Sequence, residues 1–341
     1  MAVNLKKLDE QVIVITGASS GIGLTTARMA AELGARLVLA SRNEEALRKL
    51  CDEINSSGTE KAVYVVADVG NEGDVKKIAA EAFNKFGGFD TWVNNAGVSV
   101  YGKFEEVPIE DMRQVFETNF WGLVHGSLVA ATHLKVIGGA LINVGSTLSD
   151  RSIPLQGIYC ASKHAVKGFT EAFRMELEAE GAPISVTLIK PSAIDTPYVE
   201  HAKKHMDSEP VPPPPMLYAP ETVAETILHC AENPVRDVFV GGAGKALSTL
   251  GNYAPRLTDH IMETNMAGQT GSGEPPDRSL EGLYEPRDSS LRERGEYDGH
   301  VSESSLYTKA SLHPVLTGAA VALGAAGLAY GLYAVKNSRT F

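Results

Sequence analysis

The sequence predicts an α/β fold, a doubly wound parallel sheet with helices on both faces. Three observations carry this. Short apolar, β-branched runs without polar alternation recur as far as Val240, the pattern of strands buried on both sides. Longer helical patterns separate them and supply the crossovers. The first run also passes directly into a glycine-rich loop that opens a helix.

Strands are expected at Val12–Ile15, Arg36–Ala40, Ala62–Val66, Thr91–Val93, Ala140–Val144, Ser185–Ile189 and Val238–Val240. Helices are expected at Ile22–Leu33, Glu44–Ser56, Asp74–Phe86, Ile109–Val136, His164–Glu180 and Glu221–Glu232. Residues 1–255 then form one Rossmann-type domain. Lys6 and Lys7 have no apolar run behind them, so no secretory signal is expected.

The composition excludes several function classes. Among 341 residues, 42 acidic against 31 basic give a net charge of -11, which repels a phosphate backbone and argues against nucleic-acid binding. Cys51, Cys160 and Cys230 are an odd number and widely spaced, which excludes a disulfide framework or zinc ribbon and suits a reducing compartment.

Beyond residue 255 the composition changes. Residues 267–305 hold 6 Gly, 3 Pro and 7 Ser, with large apolar residues scattered singly, so 256–313 reads as a mostly disordered acidic and polar linker. The alternative is an ordered arm laid over the domain. Val315–Val335 is a run of 21 residues without a charge, about 31 Å long as a helix, which reads as a transmembrane helix within 314–336. Its alternative is an Ala/Gly-rich buried helix. Tyr330 and Tyr333 suit the membrane interface, Gly327 and Gly331 a helix contact, and 337–341 is a short tail. The expected location is a membrane with the catalytic domain cytoplasmic, although Lys336 and Arg339 after the span weakly oppose that orientation.

The loop Thr16-Gly17-Ala18-Ser19-Ser20-Gly21-Ile22-Gly23 lies between a strand and a helix, where backbone N–H groups and the helix dipole can receive a pyrophosphate. Gly17 permits the tight turn, Gly21 the approach of phosphate, and Gly23 close helix–sheet packing. About 20 residues after such a loop, a carboxylate reads a ribose 2′-hydroxyl and an arginine a 2′-phosphate. Here the second strand ends in Ser41-Arg42-Asn43, so NADP(H) is the expected cofactor.

Tyr159 and Lys163 are four residues apart on a helical run and share a face. A neighbouring ammonium and an oxidised nicotinamide would both lower the phenol below its usual pKa near 10, fitting Tyr159 for proton transfer. Such a pair is weak evidence alone. In order along the chain stand the glycine loop, Asn94-Asn95-Ala96-Gly97, Asn119, Ser146 and Tyr159-Cys160-Ala161-Ser162-Lys163. Together these resemble the short-chain dehydrogenase/reductase family from about residue 8 to residue 245.

The resemblance implies that Tyr159 is the acid/base and that Lys163 lowers its pKa and holds the ribose hydroxyls. It implies that Ser146 orients the substrate oxygen and that Asn119 supports a water-linked relay to the lysine. Asp68, followed by Val69, would lie beside the adenine. Asn95, Ala96 and Gly97 would border the cofactor, and Thr196, in the segment Pro191-Ser192-Ala193-Ile194-Asp195-Thr196, would bind the carboxamide. The chain departs from the family at Ser192, where glycine is usual. Ser19 and Ser20 also stand where NADP-binding members often carry a basic residue, so the cofactor expectation rests on Arg42.

Other conspicuous residues have plainer readings. Cys160 is packing, and His125 and His133 show no metal spacing. His201, Lys203, Lys204 and His205 precede Pro212–Pro215 and read as lid surface, with Met206, Met216, Leu217 and Tyr218 as apolar lid residues. The expected function is hydride transfer between NADP(H) and a hydrophobic carbonyl or secondary alcohol. The alternative is a membrane-anchored NADP(H)-binding scaffold or sensor without turnover. A homo-oligomer is implied by the resemblance, through Ile109–Val136 and Gly157–Glu180.

Overall fold

The seven apolar runs are strands of one sheet: β1 (Val12–Thr16), β2 (Arg36–Ser41), β3 (Ala62–Val66), β4 (Thr91–Asn94), β6 (Gly139–Val144), β7 (Ile184–Pro191) and β10 (Asp237–Val240). The two-residue strands β5 (Val100–Tyr101), β8 (Lys203–Lys204), β9 (Leu217–Tyr218) and β11 (Val301–Ser302) form two small ladders outside it. Helices are α1 (Gly21–Glu32), α2 (Glu44–Asn55), α3 (Glu72–Phe86), α4 (Ile109–Phe116), α5 (Gly122–Ile137), α6 (Gly157–Ala179), α7 (Tyr198–His201), α8 (Pro220–Glu232), α9 (Gly242–Tyr253), α10 (Pro255–Gln269) and α11 (Leu306–Leu312). The computed structural model describes residues 3–56, 58–207, 217–269, 277–286 and 290–315, together with 317–319, 322 and 323.

All pairings in the main sheet are parallel, in the order β10–β7–β6–β4–β1–β2–β3. Alternate residues of each strand serve opposite faces. Ile13 and Ile15 pack with Leu24, Leu47, Leu50 and Ile227 under α1, α2 and α8. Val12 and Val14 pack with Ile78, Leu134, Phe173 and Leu177 under α3, α5 and α6. Each such fully buried aliphatic side chain contributes about 1.5–3 kcal/mol. The chain runs outward from β1 to β3 and crosses back to β4, so the connections leaving the carboxyl ends of the paired strands β1 and β4 diverge. That divergence is the crevice in which doubly wound sheets bind ligands.

The expected helix over Ile109–Val136 is interrupted. A π-helical turn, Glu117–Trp121, separates α4 from α5. Apolar periodicity does not register one extra residue per turn, but such turns concentrate at functional sites.

The expected linker is the larger correction. Its described parts are laid across the domain as an arm. Leu283 is buried and β11 pairs with β9. Arg294 binds Glu221 and Glu303, and Arg28 binds Glu293. Several of the scattered apolar residues and charges that suggested a solvated chain, Leu283, Glu293 and Arg294 among them, here find a partner on the domain. Among the described residues no helix is long and apolar enough to cross a membrane. The segment Val315–Val335 lies almost wholly outside the described residues, as do Pro212–Pro215 and Met216.

Candidate active site

The loop after β1 is built by steric necessity. Gly17 has φ +68°, and a Cβ there would lie 2.8 Å from Ala96 Cα. A Cβ on Gly23 would lie 2.1 Å from the Gly17 carbonyl oxygen, so Gly23 lets α1 close onto the loop. Thr16 and Asn95 brace this turn against β4. Thr16 Oγ1 accepts from the Asn95 and Ala96 N–H groups, and Asn95 Nδ2 donates to the Thr16 carbonyl at 2.9 Å.

A cleft of about 930 Å³ runs from this loop along the strand ends. Gly17, Ser19, Ser20, Gly21 and Ile22 line one end, with Ser41, Arg42, Asp68 and Val69 beside them. Asn95, Ala96 and Gly97 form its floor together with Ser146, Tyr159 and Lys163, and Pro191, Ile194 and Thr196 also line it. Of the residues expected at the site, Thr16, Gly23 and Asn119 are not in the cleft wall. They support it from behind.

Asn119, 1% exposed, sits in the π-helical turn and brackets Val98: its Oδ1 accepts from the Val98 N–H at 2.8 Å and its Nδ2 donates to the Val98 carbonyl at 2.9 Å. Nδ2 also reaches Ser162 Oγ at 3.1 Å, tying the loop after β4 to α6. Gly97 keeps the adjoining space open, since a Cβ there would stand 3.4 Å from Asn119 Oδ1 and 3.9 Å from Lys163 Nζ.

Tyr159 and Lys163 project from the first turns of α6. Lys163 Nζ donates to the Val144 carbonyl at 2.9 Å and lies 5.7 Å from the Tyr159 ring centre. Burial pulls this ammonium down to about 8. Burial pushes the Tyr159 phenol up to about 12, while the Ser146 hydroxyl and the Tyr198 phenol, hydrogen-bonding toward its oxygen, pull against that rise. Tyr159 was expected to stand below its ordinary value with both an ammonium and an oxidised nicotinamide beside it. Desolvation of the phenolate outweighs its partners here, and Lys163 is turned to the Val144 carbonyl.

The departure at Ser192 is accommodated by two glycines. A Cβ on Gly241 would lie 2.9 Å from Ser192 Cβ and one on Gly244 3.2 Å from it, so the space a glycine would have left is found across the contact.

Several functional contacts had no signal in the sequence. Tyr198 packs edge-on to Tyr159, ring centres 5.4 Å apart. The arm also enters the cleft. Arg42 donates to the carbonyls of Gly282, Leu283 and Tyr284 at 2.5, 3.1 and 2.8 Å, and the Gly21 N–H donates to the Arg292 carbonyl at 3.0 Å. The expected lid-surface residues are interior ties as well. Asp111, 2% exposed, holds Lys203, His205 at 2.7 Å and the arm's Tyr284 at 2.5 Å. Lys204 is 2% exposed.

A parallel sheet with a glycine-turn crevice, and a tyrosine–lysine pair with a serine hydroxyl at its floor, define an oxidoreductase of the nicotinamide-nucleotide type. Residues 11–207 match the short chain dehydrogenase family. The chain belongs to that family. It is 50% identical over 322 residues to the uncharacterized oxidoreductase YxnA of Bacillus subtilis, covering 94% of this chain and 90% of that one. Among solved structures it resembles a short chain dehydrogenase/reductase from Burkholderia phymatum in complex with NAD, with TM-score 0.65, 28% identity, and 75% and 96% of the two chains covered. It also resembles a short chain dehydrogenase from Burkholderia cenocepacia in complex with NADP, with TM-score 0.63, 25% identity, and 75% and 99% covered.

Proposed function

We propose that this chain transfers hydride between NADP(H) and the carbonyl or secondary-alcohol carbon of an apolar small molecule. The observation that carries the reading is the single cleft that has the Gly17–Gly23 turn and Arg42 at one end and Tyr159, Ser146 and Lys163 on its floor. The residues present fit the cofactor: a turn with no room for side chains at Gly17, and a guanidinium at the end of β2. When bound, the nicotinamide supplies or accepts the hydride.

In this reading Ser19, Ser20, Gly21 and Ile22 receive the pyrophosphate, Arg42 and Ser41 the 2′-phosphate, Asp68 and Val69 the adenine, and Thr196 with Ile194 the carboxamide. Tyr159 donates a proton to the developing alkoxide in reduction and takes it back in oxidation. Ser146 donates a second hydrogen bond to that oxygen, and both donors are fixed before reaction. Lys163 supplies positive charge near the phenolate once it forms. Asn119 supports the reacting end from behind, by holding the Val98 backbone and Ser162, whose hydroxyl donates to the Tyr159 carbonyl. Val98, Leu148, Ile153, Val199, Leu247 and Met262 line the cleft and favour an apolar substrate.

NADPH oxidation against a panel of carbonyl compounds, with Tyr159→Phe as control, tests the reading. Turnover that disappears in the variant is expected. Coenzyme binding without turnover across the panel would make the chain an NADP(H)-binding scaffold instead. Two further readings belong to the same proposal. Trp121, Leu128 and Met175, exposed on the π-helical turn, α5 and α6, suit pairing of two copies. Val315–Val335 would anchor the chain, which flotation with liposomes tests against a chain ending at residue 313.

A further inference from the structure

Tyr198 stands at the start of α7, beyond the residues whose roles the family resemblance supplies, and it is the second phenol at the reacting end of the cleft. Its ring meets Tyr159 edge-on, at 5.4 Å and 63°. Its hydroxyl is 3.3 Å from Gln156 Oε1, a long contact for a phenol donor. Gln156 is itself fixed. It is 6% exposed, and its Nε2 donates to Tyr101 Oη at 2.9 Å, which leaves Oε1 facing Tyr198. The residue before it, Leu155, is buried with φ +64°, a left-handed conformation costly for a branched side chain. Such a conformation persists where the surroundings hold it, and here it sets the entry to the helix that carries Tyr159.

The Tyr198 hydroxyl therefore has Gln156 Oε1, the Tyr159 oxygen and the Ser99 hydroxyl around it; Ser99 can donate to its oxygen, and its one proton can go to the amide oxygen or to the Tyr159 oxygen. While Tyr159 is neutral and donates its own proton, the amide is the better acceptor. Once Tyr159 is a phenolate, the charged oxygen is the stronger one. We propose that Tyr198 is a positioning residue of the catalytic centre, whose hydroxyl turns from Gln156 Oε1 to the Tyr159 oxygen as Tyr159 gives up its proton. The proposal rests on the oxidoreductase reading above. No bond is made or broken at Tyr198, since its proton stays on its own oxygen. The interaction strengthens only as charge develops, so it lowers the barrier rather than tightening ground-state binding.

The same geometry explains why α7 is held so firmly. Glu200, two residues on, accepts from the Glu296 N–H at 3.2 Å and pairs with Arg292, and the His201 carbonyl accepts from the Gly282 N–H at 2.8 Å. The arm thereby fixes the helix on which Tyr198 is mounted. Groups that can influence the pair electrostatically are Lys163 and Cys160 on α6, Tyr101 on β5, Glu200 and His201 on α7, and Lys204 on β8.

Tyr198→Phe keeps the ring contact and removes the hydroxyl. In alcohol oxidation it is expected to lower kcat about tenfold with KM changed less. The pH limb that reports ionisation of Tyr159 is expected to move upward by about one unit, the size of one hydrogen bond to a charged oxygen. NADPH affinity by coenzyme fluorescence stays at the parent value, which shows that the variant is folded. A purely structural role would leave the limb in place, so an unshifted limb overturns the proposal while the parent's turnover upholds the oxidoreductase reading. A raised kcat in the variant, the mark of a plug displaced by substrate, overturns it equally. A parent chain without turnover removes both.

Discussion

The Nη2 of Arg42 lies 2.5 Å from the carbonyl oxygen of Gly282, so the side chain that ends β2 is tied to the backbone of a segment 240 residues away in sequence. Its hydrogen bonds go to neutral carbonyls, with the Asp68 carboxylate as the charge nearby, and a phosphate is a stronger hydrogen-bond partner than a carbonyl. Replacing Arg42 by Ala is expected to weaken NADPH binding tenfold or more while NADH binding changes less than threefold, as read by fluorescence titration. Equal losses for the two coenzymes would assign Arg42 to holding the arm alone.

The arm's hold is expected to slow coenzyme entry. Glu293 binds Arg28 at 2.5 Å and Thr25 at 3.2 Å, beside the Gly21 N–H that donates to Arg292. Glu293→Ala removes those ties while Arg28 keeps Glu53 at 2.8 Å. Partly exposed ion pairs are worth up to about 1 kcal/mol, so stopped-flow association of NADPH is expected to accelerate about fivefold. An unchanged rate would show that the arm does not limit access.

Asp150 is a stability site four residues after Ser146. Burial pushes its carboxyl up, but Lys167 and Lys190 together outweigh burial and hold it below its ordinary value. Lys190, 8% exposed at the side chain, binds it at 3.1 Å. Asp150→Asn strands that buried ammonium and is expected to cost about 3 kcal/mol in urea unfolding. Because the folded state depresses this acid, its contribution is complete above the unfolded value of about 4 and is lost as pH falls through the lower folded value. The variant's stability is therefore expected to converge on the parent's in acid.

At the opposite end of the pH range, Tyr284 ties the arm to Asp111. The hydrogen bond to that carboxylate, and then burial, push the phenol up to about 12. A raised phenol stabilises the docked arm fully below the unfolded value of about 10 and loses that contribution as pH climbs toward 12. Protection of the arm amides around Leu283, taken relative to the intrinsic base-catalysed exchange rate at each pH, is expected to fall over that interval, and Tyr284→Phe to abolish that fall. The same dependence in the variant would move its origin elsewhere.

Legibility in the sequence followed the range of the forces involved. β3 was readable end to end because Ala62–Val66 is a local apolar run. Most of the residues expected to form the site line one cleft, because glycine turns and a four-residue helical spacing are also local patterns. Leu283 and Arg292 left no such trace, since a lone leucine or arginine in a Gly/Ser-rich stretch looks solvated until its partner is known. Tyr198 was invisible for a related reason: its partners Gln156 and Tyr159 lie about 40 residues earlier. The sequence displays the charge beside Tyr159 but not the depth of burial that pushes its phenol up.

Val301 and Ser302 pair with Leu217 and Tyr218, and Ile194, in the segment expected to meet the nicotinamide, bridges to Tyr218. The arm over the nucleotide end of the cleft and the wall behind its reacting end therefore share backbone hydrogen bonds. Two ligands that each displace parts of one ladder are thermodynamically linked, and the factor by which the first changes the affinity of the second is the factor by which the second changes that of the first. A coupling of this kind would run through main-chain pairing between the arm and the cleft wall, and not through a side chain that either ligand touches.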